Sequence, residues 1–237
     1  MKVSVICAVY TGQQFLGEAI DSVLGQSGFS TAGFGLEMLV VDDGSTDATD
    51  EVIASYGGAV RGFRQANRGQ PTALNAGIVA AGGDAITFLD CDDLRGPGSL
   101  REQAELLVCA PEADIVVGQT QVYMPGPTLA PLDAEQDGTP LRGFVPFGPP
   151  RPIPSLANRL FRRRVFEAVG TLNPAERCSA DVDFLARCDE LGVPAVPSPG
   201  VAQLYRRHQG AMTNERAFLQ KNFIGVVKRA MDRRHAA

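Results

Sequence analysis

The 237-residue chain has no uninterrupted apolar run of about 18 residues, so no segment is expected to cross a membrane as a helix. Its first six residues lead straight into a strand pattern, without the apolar stretch and small-residue cleavage site of a secretory signal. Cysteine is present but unpatterned. Cys7, Cys91, Cys109, Cys178 and Cys188 form no Cys-x-x-Cys pair, which argues against a disulfide framework and suits mostly buried free thiols in a reducing compartment. Basic charge is also in deficit. Lys and Arg number 22 against 27 Asp and Glu, a net charge of −5, so a protein dedicated to gripping nucleic acid is not expected. Together these absences lead to the expectation of a cytoplasmic, enzyme-sized domain. The share of hydrophobic residues, 44%, and of charged ones, 21%, is enough for a sizeable core in one large α/β domain.

The first ninety residues alternate strand and helix signals. Apolar runs of buried-strand type fall at residues 3–9, 36–41, 59–64 and 85–89, with helical patterns at 13–24, from Thr46-Asp47 onward, and at 71–81. That pitch predicts a mainly parallel sheet with helices on both faces. Ligands of such sheets bind beyond the carboxyl ends of the strands. Three polar clusters fall there: Tyr10-Thr11, Asp42-Asp43 and Asp90 to Asp93. The second half is predicted to carry a helix at 98–107, a strand at 115–123, helices at 164–169 and near Ser179, and a last helix over 215–234. Between them, residues 124–154 are rich in Pro and Gly and read either as a lid that orders on ligand binding or as a disordered connector.

Asp90-Cys91-Asp92-Asp93 is the strongest chemical signal. Three carboxylates within four residues repel one another unless a cation neutralises them, and hard oxygen ligands suit Mg2+ or Mn2+ together with phosphate oxygens. An acidic turn capping the next helix is the plain alternative, weakened by the second acidic strand end at Asp42-Asp43-Gly44-Ser45.

From here the chain resembles a family 2 glycosyltransferase of GT-A fold over nearly its whole length. Val3 to Tyr10 resembles that family's first strand and its aromatic turn. Val41-Asp42-Asp43-Gly44-Ser45-Thr46-Asp47 is similar to its base-binding turn. Asn67-Arg68-Gly69 with Ala73-Leu74-Asn75-Ala76-Gly77-Ile78 resembles the segment leading to the metal strand, and Leu89-Asp90-Cys91-Asp92-Asp93 the metal motif. The resemblance implies an inverting, metal-dependent transferase using a nucleotide-sugar donor, with UDP the expected nucleotide, and an acceptor the sequence does not identify. Residues 1–110 would form the donor half and 111–237 the acceptor half of one domain. Ala8, Tyr10, Asn67 and Arg68 would contact the donor, Tyr10 by stacking on the base, and Asp43 would accept from a uracil-type imide. Asp90 and Asp92 would serve the donor, and Asp92 and Asp93 the metal.

Cys178-Ser179-Ala180-Asp181 resembles the family's acidic helix start, where Asp181 would be the catalytic base. Many relatives have Glu where this chain has Ala180, and Arg where it has Leu74. Plain helix capping is the alternative for Asp181. Asp183 and Arg187, four apart, are expected to pair. The stretch Tyr205-Arg206-Arg207-His208 resembles a late element that would bring Arg206 to the donor phosphates and His208 to the metal. The last helix sets Lys221, Lys228, Arg229, Arg233 and Arg234 beside Phe218, Phe223, Val226 and Val227, an amphipathic pattern that fits peripheral contact with an anionic inner membrane face or packing on its own domain. A phosphatase would carry its Asp-x-Asp on the first strand, and a nucleotidyltransferase would need a basic glycine-rich loop there. Neither fits, whereas a catalytically degenerate nucleotide-sugar-binding module does.

Overall fold

A computed structural model of the chain describes residues 1–26, 28–125, 141, 144–176, 179–208, 210, 225, 228, 229 and 233. Its first strand, β1 (Lys2–Val9), shows why the sheet is buried on both faces. Val3, Val5, Cys7 and Val9 point to one side, where Leu16, Ile20 and Val23 of α1 (Leu16–Leu24) and Leu100, Ala104 and Leu107 of α4 (Ser99–Cys109) close the core. Ile6 and Ala8 point to the other, against Leu74 and Ile78 of α3 (Gln70–Ala80) and the phenylalanines of the second half. Strict alternation sends successive side chains to opposite layers.

Parallel pairing sets the level at which the strands end. β1 pairs with β2 (Gly35–Asp42) so that Val9 faces Asp42, and with β4 (Ala85–Asp90) so that Ala8 faces Asp90. β3 (Val60–Arg64), reached through α2 (Thr49–Ser55), completes the parallel half. Tyr10, Asp43 and the acidic turn therefore leave the sheet along one edge, as the sequence predicts.

The sheet continues through the second half in the order β3-β2-β1-β4-β8-β6-β9-β5. Here β5 is Leu94–Arg95, β6 Ile115–Pro125, β8 Arg159–Arg162 and β9 Ala195–Arg206. The antiparallel β8, inserted between β4 and β6, is not legible in the sequence, because only Leu160 and Phe161 between two arginines mark it. Helices α5 (Arg164–Val169) and α6 (Ala180–Glu190) follow, close to their predicted places. Part of the segment read as structureless is ordered. β6 runs to Pro125, β7 (Phe144–Pro146) pairs back onto it, and Arg151 bridges to Thr120. Residues 126–140 and 142–143 lie outside the described residues, and so does most of the proposed lid.

The junction is fastened by Arg95, whose side chain is fully buried. Its guanidinium donates to Ser99 Oγ (3.2 Å), Thr87 Oγ1 (3.1 Å), the Ala157 carbonyl (2.6 Å) and Gln103 Oε1. These acceptors are neutral, and burial pulls its pKa down to about 9. Cys7 and Cys188 are buried and Cys91 partly so, but Cys109 is exposed, so the thiols are less uniformly interior than composition implied.

Gly225, Lys228, Arg229 and Arg233 are helical, as the tail pattern predicts. Arg229 pairs with Glu176, and Arg233 with Glu190 (2.8 Å) and Asp183 (3.3 Å). These two cations pair with carboxylates of their own domain, as the packing alternative expects. Lys221, Arg234 and the tail's apolar residues lie outside the described residues. Among those described, no helix is long and apolar enough to cross a membrane.

The crossing of α3 over β1 offers a stability test. A Cβ on Gly77 would lie 2.3 Å from Ile6 Cγ2, so Gly77→Ala forces core atoms apart. It is expected to cost about 1–3 kcal/mol, read as a lower urea midpoint at unchanged slope. A wild-type midpoint would show that the helix does not press this closely on the strand.

Candidate functional site

The turn after β1 is built by the residues after β2. Thr11 has a φ of 53°, and three successive amides of this turn lack strand partners. Thr11 N–H donates to Ser45 Oγ (2.9 Å), Gly12 N–H to Thr49 Oγ1 (3.0 Å) and Gln13 N–H to Asp47 Oδ2 (3.1 Å). The hydroxyls of Ser45 and Thr49 and the carboxylate of Asp47 thus hold the neighbouring turn and present Tyr10, which is 53% exposed. Gly44 is required for close approach, since a Cβ there would lie 2.9 Å from the Asn67 amide at a φ of +83°.

Asp43 is almost fully buried at the base of this loop. Its Oδ1 accepts from Gln65 Nε2 (2.7 Å) and the Arg68 amide (2.9 Å), and its Oδ2 from the Gly69 amide (2.7 Å). A carboxylate has about four acceptor sites. One is left for a ligand N–H. Only the backbone of Arg68 takes part, and its side chain is exposed outside the cavity lining.

The three acids of the metal motif separate. Asp90 accepts from Gln70 Nε2 (2.9 Å). Its pKa is driven up chiefly by burial, then by the charges of Asp92 and Asp181. Asp92 faces the cavity with Oδ2 3.0 Å from His208 Nε2. Asp93 turns inward and has no solvent exposure. Its two oxygens accept from Gln203 Nε2 (2.6 Å) and the Arg206 amide (2.8 Å), and burial pushes its pKa well above the carboxylate range. Asp93, expected to bind metal, is turned toward β9 and does not line the cavity.

Arg206 also departs from expectation. Its side chain is buried, donates to Glu18 Oε2 (2.5 Å), and lies 4.7 Å from the Phe15 ring centroid and 5.5 Å from that of Phe144. The ion pair and two aromatic faces hold it off the cavity wall, so a place on the donor phosphates is not what the structure gives it. His208 does reach the site, its ring centroid 4.8 Å from that of Phe15.

Asp181 lies in the first turn of α6 and accepts from the Val182 amide (2.8 Å). Burial raises its pKa to about 6, with that amide and the charge of Arg159 pulling the other way. Its charge also acts on Asp90, so the α6 start lies near the acidic motif, although Asp181 is not among the residues that line the cavity. The expected Asp183–Arg187 pair is present at 3.0 Å.

These loops surround a cavity of about 750 Å3 lined by Ala8, Tyr10, Asp43, Asn67, Asp90, Asp92 and His208, with Phe15, Gly69, Gln70 and Cys91 between them. The size suits a small-molecule ligand. Burial and the neighbouring carboxylates push the Cys91 thiol up, so it stays a neutral wall residue. Gln70 and Phe15 went unread in the sequence. The available signal for Gln70 was a polar residue opening a helix just after Gly69. Among the described residues no three His, Cys, Asp or Glu side chains are already grouped as a metal site. Asp92 with His208 offers oxygen and imidazole ligands that fit Mn2+ or Mg2+, the remaining positions falling to water and phosphate.

Comparison with known proteins decides the class. The profile described as Glycosyl transferase family 2 matches residues 4–170. The chain belongs to that family. It is 31% identical over 186 residues to an uncharacterized glycosyltransferase of Nostoc sp., covering 74% of this chain and 55% of that one. To an uncharacterized glycosyltransferase of Rickettsia typhi it is 36% identical over 115 residues, 48% of this chain and 35% of that one. The chain thus spans about half or less of these relatives. Among solved structures, mannosyltransferase PcManGT from Pyrobaculum calidifontis in complex with GDP-Man and Mn2+ superposes with a TM-score of 0.72 at 17% identity, over 97% of this chain and 64% of that one. S. aureus TarS 1-349 in complex with UDP-GlcNAc gives 0.65 at 17% identity, over 91% and 61%. At such identities the superpositions show the fold.

The motif's two last acids can be separated by experiment. Asp92→Ala is expected to keep the wild-type melting temperature but lose Mn2+-dependent UDP binding. Asp93→Ala should lower stability by about 1–3 kcal/mol, because it strands buried donors. Calorimetry and thermal melts on both variants check this, and the reverse pattern would return Asp93 to the metal.

Proposed function

We propose that the chain transfers a sugar from a UDP-sugar to an acceptor nucleophile by a single displacement that inverts the anomeric carbon. The observation that carries this reading is one cavity lined by Tyr10, Asp43, Asp90 and Asp92, with Asp181 near enough for its charge to act on Asp90. The single spare acceptor site on Asp43 supports uracil, whose imide offers one N–H. The solved relatives are complexes with both a UDP-linked and a GDP-linked sugar, so their fold leaves the base open.

In the reaction, an Asp181 oxygen takes the acceptor proton while the acceptor atom attacks the anomeric carbon. The bond to the diphosphate oxygen breaks on the opposite side and its electron pair leaves with the nucleotide. A divalent cation held by Asp92 and His208 would supply positive charge to that departing diphosphate. Tyr10 and Asp43 orient the nucleotide, and Gln70 fixes the Asp90 carboxylate. Leu74 is buried in the core, so the cation many relatives place there is missing.

A raised Asp181 dictates the pH response. The base works only when ionised, so turnover should rise with pH through about 6 and level off above. Asp181→Asn is expected to reduce turnover by about 100-fold or more at unchanged UDP affinity, and equal loss of both would remove it as the base. Ala180, which replaces an acid and packs in the core, favours a second reading, a degenerate module that binds donor without turnover. Calorimetry with UDP separates the cases. Binding with Mn2+ that EDTA abolishes, followed by hydrolysis of a UDP-sugar, supports the enzyme, whereas binding without hydrolysis of any UDP- or GDP-sugar supports the module.

A further inference from the structure

The α6 start carries Asp181 yet lies beyond residues 4–170, the stretch shared with the family profile, so its support has to be sought in this chain. Asp183, two residues from Asp181, is 2% exposed, and Glu176, on the chain leading into the helix, is 8% exposed. Glu190 at the far end of α6 has a side chain only 13% exposed. Three nearly buried carboxylates on one short helix and its approach need cations. Arg187, itself held by the Val169 and Thr171 carbonyls (2.7 Å each), reaches only Asp183. The rest come from the end of the chain. Arg229 meets Glu176, and Arg233 spans the helix, with Nη1 3.3 Å from Asp183 and Nε and Nη2 2.8 and 3.1 Å from Glu190.

We propose that Arg229 and Arg233 form a C-terminal clamp that fixes the first turn of α6, making Arg233 a positioning residue for the base Asp181. The inference rests on the reading of Asp181 as base. An arginine suits this role because its planar fork serves two carboxylates at once, which a lysine does less rigidly. The clamp ties Arg229 and Arg233 to α6 and its approach through partners that do not line the nucleotide cavity. Loss of the clamp should then act on turnover and leave nucleotide affinity alone.

Hydrogen exchange on intact protein tests the clamp without any activity. Arg233→Gln keeps a polar side chain, two atoms shorter, and removes the charge. It is expected to speed exchange of amides 180–184 by roughly tenfold, with the strands of the parallel half unchanged. Arg233→Lys should recover part of the protection, and Arg229→Gln with Arg233→Gln should lose more than either alone. In parallel, the Mn2+-dependent UDP affinity of Arg233→Gln should equal that of wild type, while UDP-GlcNAc hydrolysis should fall roughly tenfold to a hundredfold. Wild-type exchange over 180–184 in the double variant would overturn the clamp. Faster exchange at wild-type turnover would keep the clamp but refute its link to Asp181. Absence of hydrolysis in the wild type counts against the enzyme reading, and the exchange result still decides the clamp.

Discussion

Two hydrogen bonds accepted by Asp93 join parts of the chain more than a hundred residues apart. They tie the turn after β4 to the end of β9 through Gln203 and the Arg206 amide. A buried carboxylate left without those donors would be costly, so the two segments stay together. The rest of the site follows from that tie. With β9 fixed, Arg206 drops between Phe15 and Phe144 and His208 arrives beside Asp92. Asp92 is then the acid of the motif that faces both the cavity and an imidazole. The motif therefore divides: Asp93 holds the frame, Asp90 is braced by Gln70, and Asp92 lines the cavity beside His208.

The same crowding sets the chemistry. Asp90, Asp92 and Asp181 share a poorly solvated space, and their mutual repulsion with burial raises Asp90 and, by burial, Asp181. Such a site favours binding of positive charge, which explains why a donor diphosphate would need a cation to enter it. Burial raises the Asp181 pKa to about 6, while a backbone amide and Arg159 keep it from rising further. That is a suitable poise for a base at physiological pH.

The parallel half was legible because its strands are continuous apolar runs that end in polar clusters, and in-register pairing turns those clusters into neighbours. Tyr10, Asp43 and the Asp90 to Asp93 cluster could be placed on one sheet edge from the strand pattern, whereas Asn67 came from the family resemblance. What sequence could not resolve was direction. Asp92 and Asp93 are adjacent and chemically identical, yet one faces the cavity and the other the interior, a choice made by Gln203 and Arg206 from the distant β9. The contacts of Arg206 were hidden for the same reason, since Glu18, Phe15 and Phe144 come from distant parts of the chain. β8 escaped because a strand of four residues with two arginines carries no periodic signal, and its burial comes from Phe161 packing on Phe88 and Phe184. The tail was read as amphipathic, and only the partners Glu176, Asp183 and Glu190 show which way its arginines face.

The most direct test of the central claim, one base opposite one leaving group, is the configuration of the product. Proton NMR of the sugar freshly released or transferred from an α-linked UDP-sugar reports it before mutarotation. The account predicts a β-configured product at the first time points. An α-configured product would contradict it, because retention cannot arise from a single displacement assisted by Asp181.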